Sequence, residues 1–279
     1  MEIRFCNGPD RVYQEKLNAL LQEIFFDFQF WYDLDLWDQN YESYSIMVGD
    51  EIVSNICVYK AKVLFRGQPY TALSVGAVAT REDYRGKGLA RKLMEHIIEK
   101  YPDTPMYLCA NDGVLGFYPR FGFKRVYEKQ PVVHCRVNNS VSPLKLTHSD
   151  PKVWHYVYNR INFSKELDCL NTACINIFHI YQGYLNNSLY EIPELETMVI
   201  ADQEGPVLSI RGVFSLRPIN FAQLLPHLPF SGVENIELGF MPYWPDLEYE
   251  MEERETDPWF VRGVKCDLGD IKFPELSIT

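Results

Sequence analysis

Arg85-Gly86-Lys87-Gly88-Leu89-Ala90 constrains this 279-residue chain more than any other stretch, because of what flanks it. Before it runs a β-rich segment, Leu73-Ser74-Val75-Gly76-Ala77-Val78-Ala79-Thr80. After it, apolar residues recur at Leu89, Ala90, Leu93, Met94, Ile97 and Ile98, the spacing of one helix face. The glycines therefore fall at a strand-to-helix junction. Without side chains there, a ligand can approach the main chain, and N–H groups of the first helical turn face outward unpaired. The positive end of the helix dipole lies at the same place, so the junction suits an anion, a diphosphate above all.

Two familiar phosphate-binding loops do not fit. A dinucleotide fingerprint counted from Gly86 needs a small residue where Arg91 stands, and a P-loop needs Ser or Thr where Gly88 follows Lys87. The stretch instead resembles the acyl-CoA signature of the GNAT acetyltransferase superfamily, Gln/Arg-x-x-Gly-x-Gly/Ala, with Arg85, Gly88 and Ala90 at its defined positions. Downstream, Asn111-Asp112-Gly113-Val114-Leu115-Gly116-Phe117-Tyr118-Pro119-Arg120-Phe121-Gly122-Phe123 resembles that superfamily's later signature. Asn111 stands at a strand end, Tyr118 seven residues on, and Gly122-Phe123 after it. One helix and one short strand, residues 106–110, separate the two motifs, as in the superfamily.

The rest of the first half keeps that order. Residues 3–6 read as a strand and 12–37 as a helix with Leu17, Leu20, Leu21, Ile24, Phe25, Phe28 and Trp31 in its stripe. Residues 44–48 and 51–65 form a hairpin around Gly49-Asp50, and 124–137 supply the last strands. The fold class is α/β (α+β): a mixed, mostly antiparallel sheet with helices on both faces, as the resemblance implies. The polar run Asn138-Asn139-Ser140-Val141-Ser142-Pro143 places a boundary after residue 140. Residues 1–140 are then the acyl-CoA-binding domain and 141–279 a second α+β domain. The latter shows helices over 153–159 and 167–185, a hairpin over 197–201 and 207–214, a short helix over 221–225, and strands over 235–240 and 259–264. It lacks the glycine signature, since Arg211-Gly212 and Arg262-Gly263 both lack that signature's later glycine. It resembles the degenerate second unit of Eis-type tandem acetyltransferases; the alternative is a generic α+β domain.

Composition narrows the partners. The formal charge is −11, nearly all of it after residue 140, and neither half shows the basic patch of a nucleic-acid binder. No apolar run reaches the roughly 18 residues of a membrane span. The start, Met1-Glu2-Ile3-Arg4-Phe5-Cys6, lacks the pattern of a signal peptide, so a cytoplasmic protein is expected. Seven cysteines without a C-x-x-C pair and scattered single histidines predict reduced thiols and no metal.

The resemblance implies an N-acetyltransferase moving an acetyl group from acetyl-CoA to a primary amine by direct transfer. It places Val78 and Thr80 along the pantetheine arm, with a bulge there freeing an N–H for the thioester oxygen. Arg85, Gly86, Lys87, Gly88, Leu89 and Ala90 hold the diphosphate, and Asn111 braces the cofactor. Tyr118 is the general acid, its phenol protonated at neutral pH. The base stays open: Asp33, Asp35, Glu42, a water relay, or the carboxylate of Thr279, which Eis-type enzymes bring to the active site. Aromatics and acids over residues 25–38, and an acidic run from Asp246 through Glu248, Glu250, Glu252, Glu253 and Glu255 to Asp257, point to a cationic amine acceptor. The rival functions are a non-catalytic acyl-CoA sensor and an aminoacyl-tRNA-dependent transferase.

Overall fold

A computed structural model describes residues 2–245 and 247–279; Met1 and Asp246 of the acidic run lie outside the described residues. After the edge strand β1 (Ile3–Cys6), the Asp10 carboxylate accepts the Tyr13 N–H and starts α1 (Arg11–Ile24). This helix turns Tyr13, Leu17, Leu20 and Leu21 inward. It stops at Ile24, and only the short α2 (Gln29–Asp33) follows, where the stripe over residues 12–37 predicts one long helix. The break has a local cause. Asn18 on α1 accepts the Phe28 N–H and donates to Asp27, whose carboxylate also takes the Gln29 N–H. Side chains thus satisfy main-chain groups that a continuous helix would pair internally.

Three antiparallel strands come next: β2 (Tyr41–Val48), β3 (Glu51–Phe65) and β4 (Gln68–Thr80). Along β3, Cys57, Tyr59 and Ala61 pack in one core with α1, whereas Ile56 and Val58 pack on the other face. That second core holds Leu89, Leu93, Met94 and Ile97 of α3 (Leu89–Lys100). β5 (Met106–Cys109), parallel to β4, and β6 (Lys124–Val126) complete the first run.

The second run comprises β7 (Lys129–Val137), β8 (Leu144–Lys145), α4 (Pro151–Asn159), β9 (Leu167–Cys169), α5 (Ala173–Tyr181), β10 (Leu189–Ile192), β11 (Thr197–Glu204), β12 (Val207–Ser215), α6 (Phe221–Leu224), β13 (Val233–Leu238), β14 (Glu250–Glu253) and β15 (Trp259–Arg262). The helix expected over 167–185 is instead β9, a turn and α5. Long-range partners draw its first residues out: β9 pairs with β3, Asn171 accepts the Lys62 N–H, and Tyr59 donates to the Asn171 carbonyl.

Two sheets result, with strand orders β1-β2-β3-β4-β5-β15-β6 and β14-β7-β13-β12-β11-β10-β8. Each holds a parallel pair, β4 with β5 and β12 with β13. Beyond each pair lies a strand from the other half of the sequence: β15 between β5 and β6, and β7 between β13 and β14. A cut at residue 140 therefore divides the polypeptide but not the sheets. Trp259 and Phe260 of the inserted β15 are buried, so the exchange places core residues on both sides. No helix among the described residues is long and apolar enough to cross a membrane.

Candidate active site

The parallel pairing of β4 and β5 ends after Ser74 and Tyr107. Beyond that point the strands separate, and the fork opens into a cavity of about 680 Å³. Val78, Thr80, Arg85, Ala90, Asn111 and Tyr118 all line it, and so does Thr279 from the far end of the sequence.

At the fork β4 carries one extra residue. Asn55 pairs with Ala79 and Cys57 with Gly76, so Ile56 faces both Ala77 and Val78, a β-bulge at the place the resemblance implies one. Ala77 sits at φ 47°, a left-handed conformation that costs an L-residue about 1–2 kcal/mol. The fully buried Asn55 holds it there, its Nδ2 donating to the Ala77 carbonyl (3.1 Å). Ser43 and Ser45 donate to the Asn55 Oδ1 (2.7 and 2.8 Å), and the Tyr13 hydroxyl contacts both serines. A polar cluster beneath the sheet thus fixes the bulge from below. Sequence reasoning missed Asn55, although an asparagine within Ile52-Val53-Ser54-Asn55-Ile56-Cys57 is an oddity in a strand.

The glycine loop lies at the cavity's rim. Gly86 and Gly88 have φ 74° and 76°, and a Cβ on either would meet nothing within 4 Å. The conformation requires glycine, and the space beside it is open. Gly88 caps the 12-residue α3 without any side-chain hydrogen bond, which leaves the first-turn N–H groups available to an anion. Arg85 Nε donates to the Thr80 carbonyl (3.2 Å), and Lys87 Nζ lies 4.5 Å above the Tyr84 ring. Leu89 is placed differently: its side chain is buried in the core beneath, so only its backbone faces the loop.

Tyr118 opens a four-residue 3₁₀ turn, Tyr118–Phe121, with Pro119 in its first turn, and Gly122 at φ 81° closes it. Its ring packs against Phe117, Phe123 and Phe260. Burial, and secondarily the nearby Cys109 thiol, push its pKa up to about 12. The phenol therefore stays protonated at neutral pH.

The last residues of the sequence are held one after another. Lys272 donates to Glu128 (2.8 Å), the Glu275 N–H to the Gly239 carbonyl (2.9 Å), and Asn176 on α5 to the Leu276 carbonyl. Thr172 donates to the Ser277 hydroxyl (3.0 Å), and His179 Nε2 to the Ile278 carbonyl (2.9 Å). Burial lowers the His179 pKa, so its ring is neutral and this donor is the Nε2–H. Thr279 then shares a hydrogen bond with Ser74 (2.6 Å). The carbonyl carbon and oxygen of Thr279 lie 2.8 Å from where a Cβ on residue 76 would stand, so only glycine fits at Gly76.

The carboxylates expected as bases lie elsewhere. Asp33 pairs with Arg11 and Gln29 at the surface, and Asp35 is exposed. Glu42 is buried, which would raise its pKa, but hydrogen bonds from Lys60, Tyr101 and Tyr44 and the charge of Lys100 lower it instead. None of the three lines the cavity. Of the aromatic and acidic segment, Phe25, Phe26, Phe28 and Trp31 line the cavity and the aspartates do not. Facing them are Ile175, Phe178, His179 and Gln182 of the α5 region, which no local pattern singles out.

Residues 11–126 match the family model described as an acetyltransferase (GNAT) domain. Solved structures of similar fold include Eis1 from Mycobacterium abscessus, at a TM-score of 0.59 and 13% identity, over 94% of this chain and 73% of that one. A GCN5-related N-acetyltransferase from Kribbella flavida has a TM-score of 0.55 at 13% identity, over 93% and 70%. A probable N-acyltransferase from Enterococcus faecalis has a TM-score of 0.55 at 15% identity, over 99% and 74%. No curated protein matches in sequence. The fork, the bulge and the glycine loop therefore lie within the segment that matches a GNAT acetyltransferase domain, and the chain along most of its length shares the fold of Eis1.

Proposed function

We propose that the protein is an acyl-CoA-dependent N-acyltransferase that moves an acetyl group from acetyl-CoA to a primary amine by direct transfer. One observation carries the reading: the open fork, the bulge, the glycine loop, Tyr118 and Thr279 all border a single cavity. The free edge of β4 from Val75 to Thr80 offers main-chain groups to an extended pantetheine arm, as an added strand would receive. Gly86 and Gly88 leave room for a diphosphate at the start of α3.

The bulge at Ala77 and Val78 turns main-chain groups out of the ladder, toward the position of a thioester oxygen. Tyr118 gives its proton to the departing thiolate. Where Thr279 ends the polypeptide, its carboxylate stands beside Gly76 and accepts the proton that the attacking nitrogen must shed. Among the described residues no Asp or Glu side chain lines the cavity.

Calorimetric titration with acetyl-CoA, paired with a thiol-release assay over a panel of primary amines, tests the reading. It predicts one saturable acetyl-CoA site and amine-dependent thiol release. Absence of acetyl-CoA binding would end it, and binding with no transfer to any amine would leave a sensor.

A further inference from the structure

The part of the cavity lining that comes from residues 24–31 and from α5, an aromatic limb away from the glycine loop, carries its own signature. From it we infer that the acceptor is a primary amine with a flat aromatic body, an arylalkylamine, rather than a polycation; this rests on the acyl-transfer reading above. Phe26, Phe28 and Phe178 form its wall, with Trp31 beside them. Phe26 stacks on Phe28 at 4.3 Å and 13°, and Phe28 on Phe178 at 5.6 Å and 15°. Phe30 stacks on Phe178 from outside, at 5.4 Å and 18°.

Rings stacked in this way cover one another's faces, and a cation is attracted to faces, not edges. What such a stack leaves to a guest is largely ring edges, which suit the face of another ring. The nearby carboxylates are held away from the cavity by their own partners. Asp27 is bonded to Asn18 and Gln29, Asp33 to Arg11 and Gln29, and Asp38 to Asn40 and Tyr59. His179 is committed to Ile278 and Tyr184. Among the described residues the limb thus offers no Asp or Glu side chain to meet the several charges of a polyamine or an aminoglycoside. Phe26 remains 41% exposed, so the apolar surface reaches the mouth through which an acceptor enters.

The experiment uses the full-length protein with 2-phenylethylamine and spermidine as probes. Affinity is read by calorimetry on protein saturated with CoA, and kcat/KM by thiol release with acetyl-CoA. 2-Phenylethylamine should bind and react at least roughly 10-fold better, the scale at which an apolar pocket discriminates. Phe26→Glu, a change at an exposed position, should cost 2-phenylethylamine about 10-fold in kcat/KM, raise the value for spermidine, and leave acetyl-CoA affinity unchanged. Phe178→Ala should weaken 2-phenylethylamine binding by a similar factor. Equal affinities, a preference for spermidine, or binding of neither amine would overturn the inference. Acetyl-CoA that binds while spermidine is preferred breaks only this inference; acetyl-CoA that does not bind breaks the acyl-transfer reading beneath it.

Discussion

The two forks of the molecule start alike and end differently. Both lie where a parallel pair separates, β4 from β5 and β12 from β13, and both have a glycine on the longer strand, Gly76 and Gly212. The first opens into about 680 Å³, whereas the space left at the second is about 20 Å³. The second is filled by the polypeptide itself. The Glu275 N–H bonds to the Gly239 carbonyl, Glu275 pairs with Arg211, and Leu276 Cδ1 lies 2.8 Å from where a Cβ on Gly212 would stand. The helix after the second fork differs too. α6 has four residues, and Asn220 and Gln223 close its start on each other, the Asn220 N–H donating to the Gln223 side chain, where Gly88 caps α3 with no side-chain bond. A parallel pair that diverges creates a fork whatever the sequence; the occupant and the helix start decide whether it can take a ligand. The tail that closes the second fork goes on to furnish Thr279 to the first.

If Leu276 is the plug, its loss should be the largest effect. Leu276→Ala empties a buried site and should destabilise the protein by ~2–5 kcal/mol, read as a lower urea midpoint. Acetyl-CoA stoichiometry should stay at one per protein molecule, because the second fork has no glycine loop to receive a diphosphate. An unchanged midpoint, or a second acetyl-CoA bound, would dissolve the contrast between the forks.

Next comes the chemistry at the open fork. Tyr118→Phe should lower kcat by ~10²-fold, about 3 kcal/mol of barrier, with acetyl-CoA affinity retained. The raised pKa puts the loss of the phenolic proton near pH 12, so the wild-type rate should show no alkaline decline from this group at moderately basic pH. Full turnover by the phenylalanine variant would reduce Tyr118 to a packing residue. Gly88→Asp follows. A carboxylate at the start of α3, at φ 76°, should weaken acetyl-CoA binding by ~1–3 kcal/mol, measured by calorimetry on folded protein. The same affinity as wild type would remove the diphosphate from the loop.

What the sequence discloses follows the range of the forces involved. The glycine loop and the Asn111–Phe123 segment are legible because their demands are local: positive φ, a helix start, fixed spacing along the sequence. The fork's other side is not. Phe178 and His179 sit in an apolar helix, and only tertiary packing brings them against Phe28 and Ile278. Aspartates near Phe25–Trp31 suggest a cation site because sequence proximity hides orientation; in the fold they cap turns and pair with neighbours. The exchange of β7 and β15 between sheets is equally invisible, since an apolar run such as Trp259-Phe260-Val261 suits either sheet. Gly212 in the second half has no partner glycine to complete a loop; its actual partner is Leu276, 64 positions away.

The smallest effect concerns the bridge between the forks. His179 Nε2 holds the Ile278 carbonyl, and with it the approach of Thr279 to Gly76. Removing that bond with His179→Ala should cost ~0.5–1.5 kcal/mol at neutral pH and lower kcat, while the KM for acetyl-CoA stays put. His179→Gln can still donate to Ile278 and should recover most of both. The two variants also differ from wild type in acid. Burial depresses the His179 pKa below its unfolded value of 6.5, so the unfolded protein takes up the proton first as pH falls. The stability that the neutral ring confers is complete above 6.5 and is lost as the pH drops through the window beneath it. Wild-type Tm should therefore fall more steeply with acid than the Tm of His179→Gln, which has no proton to gain. Parallel Tm curves for the two proteins would mean that burial does not hold the imidazole neutral, and that the tail is placed by its other bonds, from Asn176, Thr172 and Ser74.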